Sequence, residues 1–323
     1  MEKSKRLIFV GGAPRSGTTL VQNVLDSHPL ILGGPEFLHL PDLVELRRKL
    51  KSSVACGYIN ILCAEQEVDA HLAGFVEDIF LRLADKSSSR LYSEKTPANI
   101  LVFQDLMELF PEAHFIHVIR DPRAIVSSMQ QVKNRALAKG MAPPDFTAQL
   151  SASISYVQRC LDAGFAAHRK SRSRVLNIVY EELLKNSVEQ TEKICAFLGV
   201  EWSELMLSPG ESTHLGEQAI TVKSGEIWYD KDSYNRNIDP SSMEKWQTEL
   251  TLRQQLRTML AFEGNRDLAA CGYDFSLESL SQVDTRWMRW YCQGLCLLEK
   301  ISTASLAKLR KIPGLGMIKR TFL

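Results

Sequence analysis

Apolar residues fall into two patterns along this chain. Three short runs are continuous rather than alternating: Arg6 to Val10 (RLIFV), His114 to Ile119 (HFIHVI) and Arg174 to Tyr180 (RVLNIVY). Runs of that length predict strands buried on both faces, and Arg90 to Ser93 (RLYS) is a weaker strand of the same kind. Elsewhere the apolar residues recur at helical spacing. Leu20, Val21, Val24 and Leu25 do so until His28-Pro29 stops them, and Ile100–Phe110, Ala124–Lys139, Phe146–Lys170 and Val188–Leu198 follow. Strand and helix alternate, which predicts an α/β fold of three layers: a central parallel sheet flanked by helices. Residues 40–90 interrupt that alternation. Leu40 to Asp85 is helical in pattern with no strong strand and reads as an insertion covering the acceptor side of a site. Lys139 to Phe146 (KGMAPPDF) is a loop, and Ser208 to Asn237 is a long stretch without periodicity. A catalytic domain over 1–280 and a basic, aromatic helical tail over 281–323 complete the expected organisation.

Composition changes this picture little. The 323 residues carry a formal net charge of +1, so no whole-chain field recruits nucleic acid. Seven cysteines without a C-x-x-C pair fit a reducing compartment, and a cytoplasmic location is expected. The apolar run before Gly11 is too short for a signal peptide or a membrane span. The tail combines Trp287, Trp290 and Tyr291 with lysines and arginines at helical spacing. It suits docking on the domain, a homodimer contact or a membrane surface, and the pattern alone leaves these open.

The candidate chemistry starts at the end of the first strand. In "GGAPRSGTTL", Gly12 and Gly17 have the spacing of a phosphate-binding loop, but Thr18 stands where a Walker loop has its lysine. Backbone N–H groups at such a strand-to-helix turn converge where the helix dipole favours an anion. Arg15 adds a guanidinium, and Ser16, Thr18 and Thr19 add hydroxyls. A second anion site is offered by "HVIRDPRAIVSSM": Arg120 ends a strand and Ser128 follows eight residues later on the next helix.

These two motifs, in this order, resemble the PAPS-dependent sulfotransferase family, most closely its tyrosylprotein sulfotransferase-like branch, as a soluble bacterial-type homologue. PAPS is 3′-phosphoadenosine 5′-phosphosulfate, and PAP is its product. "PRSGTTL" is similar to the family's 5′-phosphosulfate loop, and Arg120 with Ser128 to its 3′-phosphate pair. "DSHPLILGGPEFLHLP", "SEKTP", "VYEELLKNS" and "RNIDPSSMEKW" resemble further segments of that branch, bringing Glu36, Lys95, Tyr180 and Lys245 to family positions. The resemblance runs from about residue 6 to about residue 275. It implies a P-loop-like fold and direct in-line transfer of a sulfuryl group to an acceptor hydroxyl (alcohol, phenol or tyrosine), without a metal. It further implies Glu36 as general base, with Lys95 and Arg15 at the phosphosulfate. Arg15, Ser16, Gly17, Thr18, Thr19, Arg120, Ser128, Tyr180 and Lys245 would bind the nucleotide.

Departures and rivals stand beside it. Val132 occupies a position where the branch has a further arginine, and Asp239 one where it has an asparagine. His39 is the histidine nearest to Glu36 and competes as base, whereas His28 reads as part of a helix-ending turn and His114 and His117 as strand residues. "LRRKLK", Leu46 to Lys51, reads as a solvated helix face. A P-loop ATP phosphotransferase is the alternative enzyme, with Asp121 the acid its metal would need. An inactive nucleotide-binding interaction module is the alternative outside enzymes.

Overall fold

The computed structural model describes residues 6–87, 89–215, 227–228, 237–240 and 243–276. Two compact units divide the chain, Met1–Glu249 and Leu250–Leu323. The first is built on a five-stranded sheet, β1 (Leu7–Gly12), β2 (Ile31–Gly33), β3 (Leu91–Lys95), β4 (His114–Ile119) and β5 (Val175–Val179), in the order β2-β3-β1-β4-β5. Every pairing is parallel, so each link is a crossover: α1 (Thr18–Asp26) after β1, α4 (Phe103–Leu109) before β4, and α5 (Pro122–Ala138) with α6 (Leu150–Lys170) before β5. The parallel α/β expectation therefore holds. The insertion is a helical hairpin, α2 (Leu40–Ala55) and α3 (Glu65–Ala84), and α7 (Tyr180–Lys185) and α8 (Ser187–Leu198) follow β5.

Alternation along the central strands sorts the two faces. Ile8 and Val10 of β1 with Ile116 and Val118 of β4 pack against Val21, Val24 and Leu25 of α1 and Ile194 and Leu198 of α8. Each such aliphatic side chain, removed from water, contributes about 1.5–3 kcal/mol before chain entropy is counted. Phe9 and Phe115 point the other way, 5.3 Å apart, and meet Phe110 and Phe103. The strand histidines divide likewise: His114 lies edge-on to Phe197 of α8, and His117 edge-on to Phe165 of α6.

Three features depart from the pattern-based expectation. β2, an edge strand of three residues, is too short to leave a run, and the short α7 begins within what reads as the end of β5. β3 is an interior strand between β1 and β2, and it extends to Lys95. Its signal is weak because Ser93, Glu94 and Lys95 are buried polar residues, which hydrophobic patterning reads as surface. The basic run on α2 is used in part as a weld. Arg47, 7% exposed, makes a forked pair with Asp69 at 2.7 and 3.0 Å, Lys51 joins the same carboxylate at 3.0 Å, and Arg48 reaches Asp105 at 2.8 Å.

In the second unit, helices Leu252–Phe262 and Arg266–Ala270 are described, the first opened by a Thr251–Gln254 capping box. The 281–323 tail lies outside the described residues, as do 216–226 and 229–236 of the segment without periodicity. Among the described residues, no helix is long and apolar enough to cross a membrane.

Gly164 of α6 provides a test of this packing. A Cβ there would lie 2.4 Å from the His117 ring, which is buried, hydrogen-bonded through Nδ1 to Asn177 Oδ1 at 3.1 Å and edge-on to Phe165. The ring is tethered to Asn177 and buried, so Gly164→Ala should cost about 1–3 kcal/mol by overpacking. Chemical denaturation of the variant beside the parent checks it. An unchanged midpoint would show that α6 adjusts freely over β4.

Candidate active site

In a parallel sheet all carboxyl ends lie along one edge, and here each strand delivers a candidate residue there. β1 leads into Arg15–Thr19, β2 into Glu36, β3 ends in Lys95, β4 is followed by Arg120 and β5 by Tyr180. The loop after β1 turns through two left-handed residues, Arg15 at φ 76° and Gly17 at φ 97°. For arginine this conformation costs about 1–3 kcal/mol, which the surrounding contacts must offset. At Gly17 a side chain is also excluded, because a Cβ would lie 2.2 Å from the Tyr180 ring. Gly17 caps α1 without a side chain, which leaves the first-turn N–H groups uncovered by one.

Two groups of side chains meet around this loop. In the first, the Arg15 guanidinium donates through Nε to Ser128 Oγ at 3.0 Å and through Nη1 to the Trp228 carbonyl at 2.6 Å. Arg120 donates through Nη1 to the Arg15 carbonyl at 3.0 Å and lies 4.5 Å from the centre of the Tyr180 ring. Its Nε is buried and has no hydrogen-bond partner among the described residues. Two guanidiniums, a hydroxyl and an aromatic face thus converge, a donor set suited to an anionic nucleotide end. The Arg15 side chain lies on the Ser128 side, where the resemblance places a 3′-phosphate.

In the second group, Lys95 Nζ is paired with Glu36 Oε1 and donates to Thr19 Oγ1 at 3.3 Å. Lys95 is 3% exposed and Glu36 26%, so the ammonium is walled in while the carboxylate keeps an opening to solvent. Beneath them lies Glu94, fully buried. It accepts from the Phe37 backbone N–H at 2.9 Å, from Asn99 Nδ2 at 2.6 Å and from the Thr96 hydroxyl. Burial pushes its carboxyl up to about 7, outweighing the Thr96 and Phe37 donors, which act to lower it. Through Phe37 it fixes the backbone one residue past Glu36.

The remaining expected residues are placed as follows. Ser16 and Thr18 are buried under the loop, and Lys245 is exposed. Its neighbour Trp246 stacks on Arg123 at 4.3 Å, at the start of α5. His39 is 71% exposed and paired with Asp42 at 3.0 Å, on the surface rather than at Lys95. Val132 is a core residue of α5.

Against this geometry, the model of the "Sulfotransferase family" matches residues 7–204. The chain belongs to the sulfotransferase family. It is 27% identical over 250 residues to the protein-tyrosine sulfotransferase 2 of Gallus gallus, covering 76% of this chain but 64% of that protein. It is 25% identical to the nodulation protein NoeE of Sinorhizobium fredii, over 84% of this chain and 67% of the other. Among solved structures, the sulfotransferase domain of the Synechococcus PCC 7002 olefin synthase aligns with a TM-score of 0.56 at 22% identity, over 83% of this chain and 94% of that one. That likeness confirms the three-layer fold.

Within a sulfotransferase framework, Asp121 has a structural task. Both its oxygens are taken by the Arg123 fork at 2.8–3.1 Å, and it caps α5 through the Arg123 N–H at 2.8 Å. The acid that the phosphotransferase alternative would need for its metal is thereby engaged elsewhere.

Several residues around the sulfotransferase site escape a reading of the sequence. Gln22 holds the strand ends together by donating to Ser93 O at 2.9 Å and Gly34 O at 3.3 Å while accepting from Ser93 Oγ. Asp26, His214, Glu94 and Asn99 are the others. Asp26 and Glu94 had a signal, their places in the "DSHP" helix end and in "SEKTP".

Glu94 and His117 make opposite contributions to stability as pH changes. Burial holds the His117 ring down to about 4, so its contribution is present above about 6.5 and lost as pH falls. Glu94, raised to about 7 from 4.5, contributes below 4.5 and loses that contribution as pH rises through 7. Replacing Glu94 by Gln removes the second slope, and the Asn99 amide can turn its carbonyl toward the new NH₂. The stability of Glu94→Gln relative to the parent should therefore rise by about 1.4 kcal/mol per pH unit between 4.5 and 7. Urea unfolding across that range measures it; a constant difference would mean that Glu94 does not titrate there.

Proposed function

We propose that this protein transfers the sulfuryl group of PAPS to the hydroxyl of an acceptor. The observation that carries the reading is the Glu36–Lys95 pair held against Thr19 at the start of α1, with Arg15, Arg120, Ser128 and Tyr180 gathered on the other side of the loop. A base and a cation stand at one end of an anion-binding turn, and a second cationic pocket stands at the other. A ligand with two separated anionic centres matches that spacing of charge. When bound, the donor supplies the sulfuryl group and a phosphate that leaves.

The roles of the side chains follow from their positions. Glu36, with its solvent opening, accepts the proton of the incoming hydroxyl as the new O–S bond forms. Lys95, excluded from water and touching Thr19, neutralises the charge that the departing phosphate acquires as the old S–O bond breaks. The first-turn N–H groups of α1 face the same negative charge. Arg120 and Ser128 hold the 3′-phosphate, with Tyr180 flanking Arg120. Arg15, with its guanidinium on Ser128, joins the 3′-phosphate side rather than the phosphosulfate end that the resemblance implies for it. Lys245 and Trp246 close the nucleotide side through Arg123.

The acceptor side is assigned to the α2–α3 hairpin, because Phe37, next to Glu36, packs edge-on to Phe80 of α3 at 5.3 Å, and Phe80 stacks on Tyr92 at 5.1 Å. A small alcohol, a phenol and a peptide tyrosine all present the required hydroxyl. A catalytic domain reaching residue 280 and a cytoplasmic location remain part of this reading. The thiols of Cys56, Cys63, Cys160 and Cys195, none of them in a disulfide, support the latter.

Calorimetric titration with PAP, and separately with ATP and Mg²⁺, tests the donor class: tight PAP and weak ATP binding is expected. Metal-dependent ATP binding without PAP binding would overturn the reading in favour of a phosphotransferase. Arg120→Ala should weaken PAP far more than adenosine 5′-phosphosulfate, which lacks the 3′-phosphate, and equal losses would remove Arg120 from that role. Glu36→Gln should keep PAP affinity while turnover falls by roughly 10²–10⁴-fold. Turnover near that of the parent would move the base elsewhere.

A further inference from the structure

We propose that His214 is a positioning residue for Glu36, acting through Asp26 as a doubly donating imidazolium. The imidazole is 3% exposed, and both its nitrogens face acceptors: Nδ1 lies 2.7 Å from Asp26 Oδ2 and Nε2 lies 2.8 Å from the Pro209 carbonyl. Neither acceptor can supply a hydrogen when Asp26 is ionised, so both ring nitrogens carry one. His28 makes the contrast. Its Nδ1 accepts from the Leu30 N–H at 3.1 Å, which leaves Nε2 to donate to Glu201 O at 2.8 Å, the pattern of a neutral ring.

Asp26 sits at the last residue of α1 and works in two directions. Its Oδ2 accepts from the His214 Nδ1–H, and its Oδ1 accepts from the Gly33 N–H at 2.5 Å. Gly33 ends β2, three residues before Glu36. His214 thereby ties the segment that follows α8 to the end of α1, and Asp26 passes that constraint to the strand carrying the base. The groups share a polar cavity of about 10 Å³ lined by Gln22, Asp26, Glu36, Lys95 and His214 among others, room for about one water. Among the described residues, the charged groups that line this cavity with the ring are Asp26 from α1, Glu36 from the β2 end and Lys95 from β3; Glu211 lies on its own segment. An imidazolium set 2.7 Å from the Asp26 carboxylate compensates a charge that would be costly to bury alone. The role given to Glu36 rests on the sulfotransferase reading, but the tie from His214 to Gly33 does not.

Two measurements on the full chain decide it. In nitrogen–proton spectra of the histidine side chains at neutral pH, His214 (identified by its loss in His214→Gln) should show both nitrogens protonated, and Asp26→Asn should abolish that signature. A neutral His214 in the parent would overturn the proposal. In hydrogen exchange, His214→Ala should speed exchange of residues 31–37 by about tenfold or more while the β4 residues 114–119 stay unchanged. Uniform acceleration, or none, would reduce His214 to a general stability role and overturn it. With 4-nitrophenol as probe acceptor, His214→Ala should lower kcat by about tenfold with the KM for PAPS and the affinity for PAP within about twofold. His214→Asn, which restores a donor toward Asp26, should recover part of the loss. A matched loss of PAP affinity would also contradict positioning of Glu36. Should the parent bind no PAP and turn over no PAPS, the proposed function fails, while the exchange and spectral results still decide the tie.

Discussion

A parallel strand cannot turn straight back to its neighbour; it must cross over and re-enter the sheet from the same end. Five strands bound by that constraint place five carboxyl ends on one edge, and in this protein each carries a polar group to that edge. Arg15 to Thr19, Glu36, Lys95, Arg120 and Tyr180 are scattered over more than half of the chain, yet no long loop is needed to gather them. The apolar work is done below that edge, by aliphatic packing under α1 and α8 on one face and aromatic packing under α4 and α6 on the other. That rigid floor is what lets the edge hold buried charge.

The charges at this edge are arranged as competing partners. Lys95 is paired with Glu36, and Arg15 with Ser128 and a backbone carbonyl. These contacts satisfy groups that would be costly to bury alone. The left-handed backbone at Arg15 fits the same logic. Its carbonyl is turned to Arg120 while its side chain spans toward Ser128, so one strained residue links the loop to the β4 end.

Beneath the charged edge, the polar residues of β3 and its neighbours serve as struts. Ser93 with Gln22, and Glu94 with Phe37, Thr96 and Asn99, fix the geometry of the β2 end and of the residues around Glu36. Burial raises the Glu94 carboxyl to about 7, so near neutrality it carries less than a full charge, and its three donors hold it in place. The family match over residues 7–204 agrees with this division, since the matched part holds the sheet, the loop and the paired carboxylate and ammonium.

The strands β1, β4 and β5 with the helices between them, the loop without a Walker lysine and the Arg120–Ser128 interval were legible in the residues themselves, because each depends on local periodicity or spacing. The motif resemblance brought Glu36 and Lys95 to attention, but it could not show that they pair. Hydrophobic pattern also failed where polarity is buried. β3 carries Ser93, Glu94 and Lys95 at an interior position, and a buried polar residue has the same letters as a surface one. β2, three residues long at the sheet edge, is defined by its partner rather than by its own composition. The same reason hid the longest-range contacts. Asp26 and His214 lie 188 positions apart, and nothing local marks either as the other's partner. Local sequence determined the strongly patterned elements and the motifs at their ends, but not β2 or the full extent of β3. Tertiary structure alone decided which charges meet, because that depends on sheet order and crossover, and these are set by the packing of the whole chain.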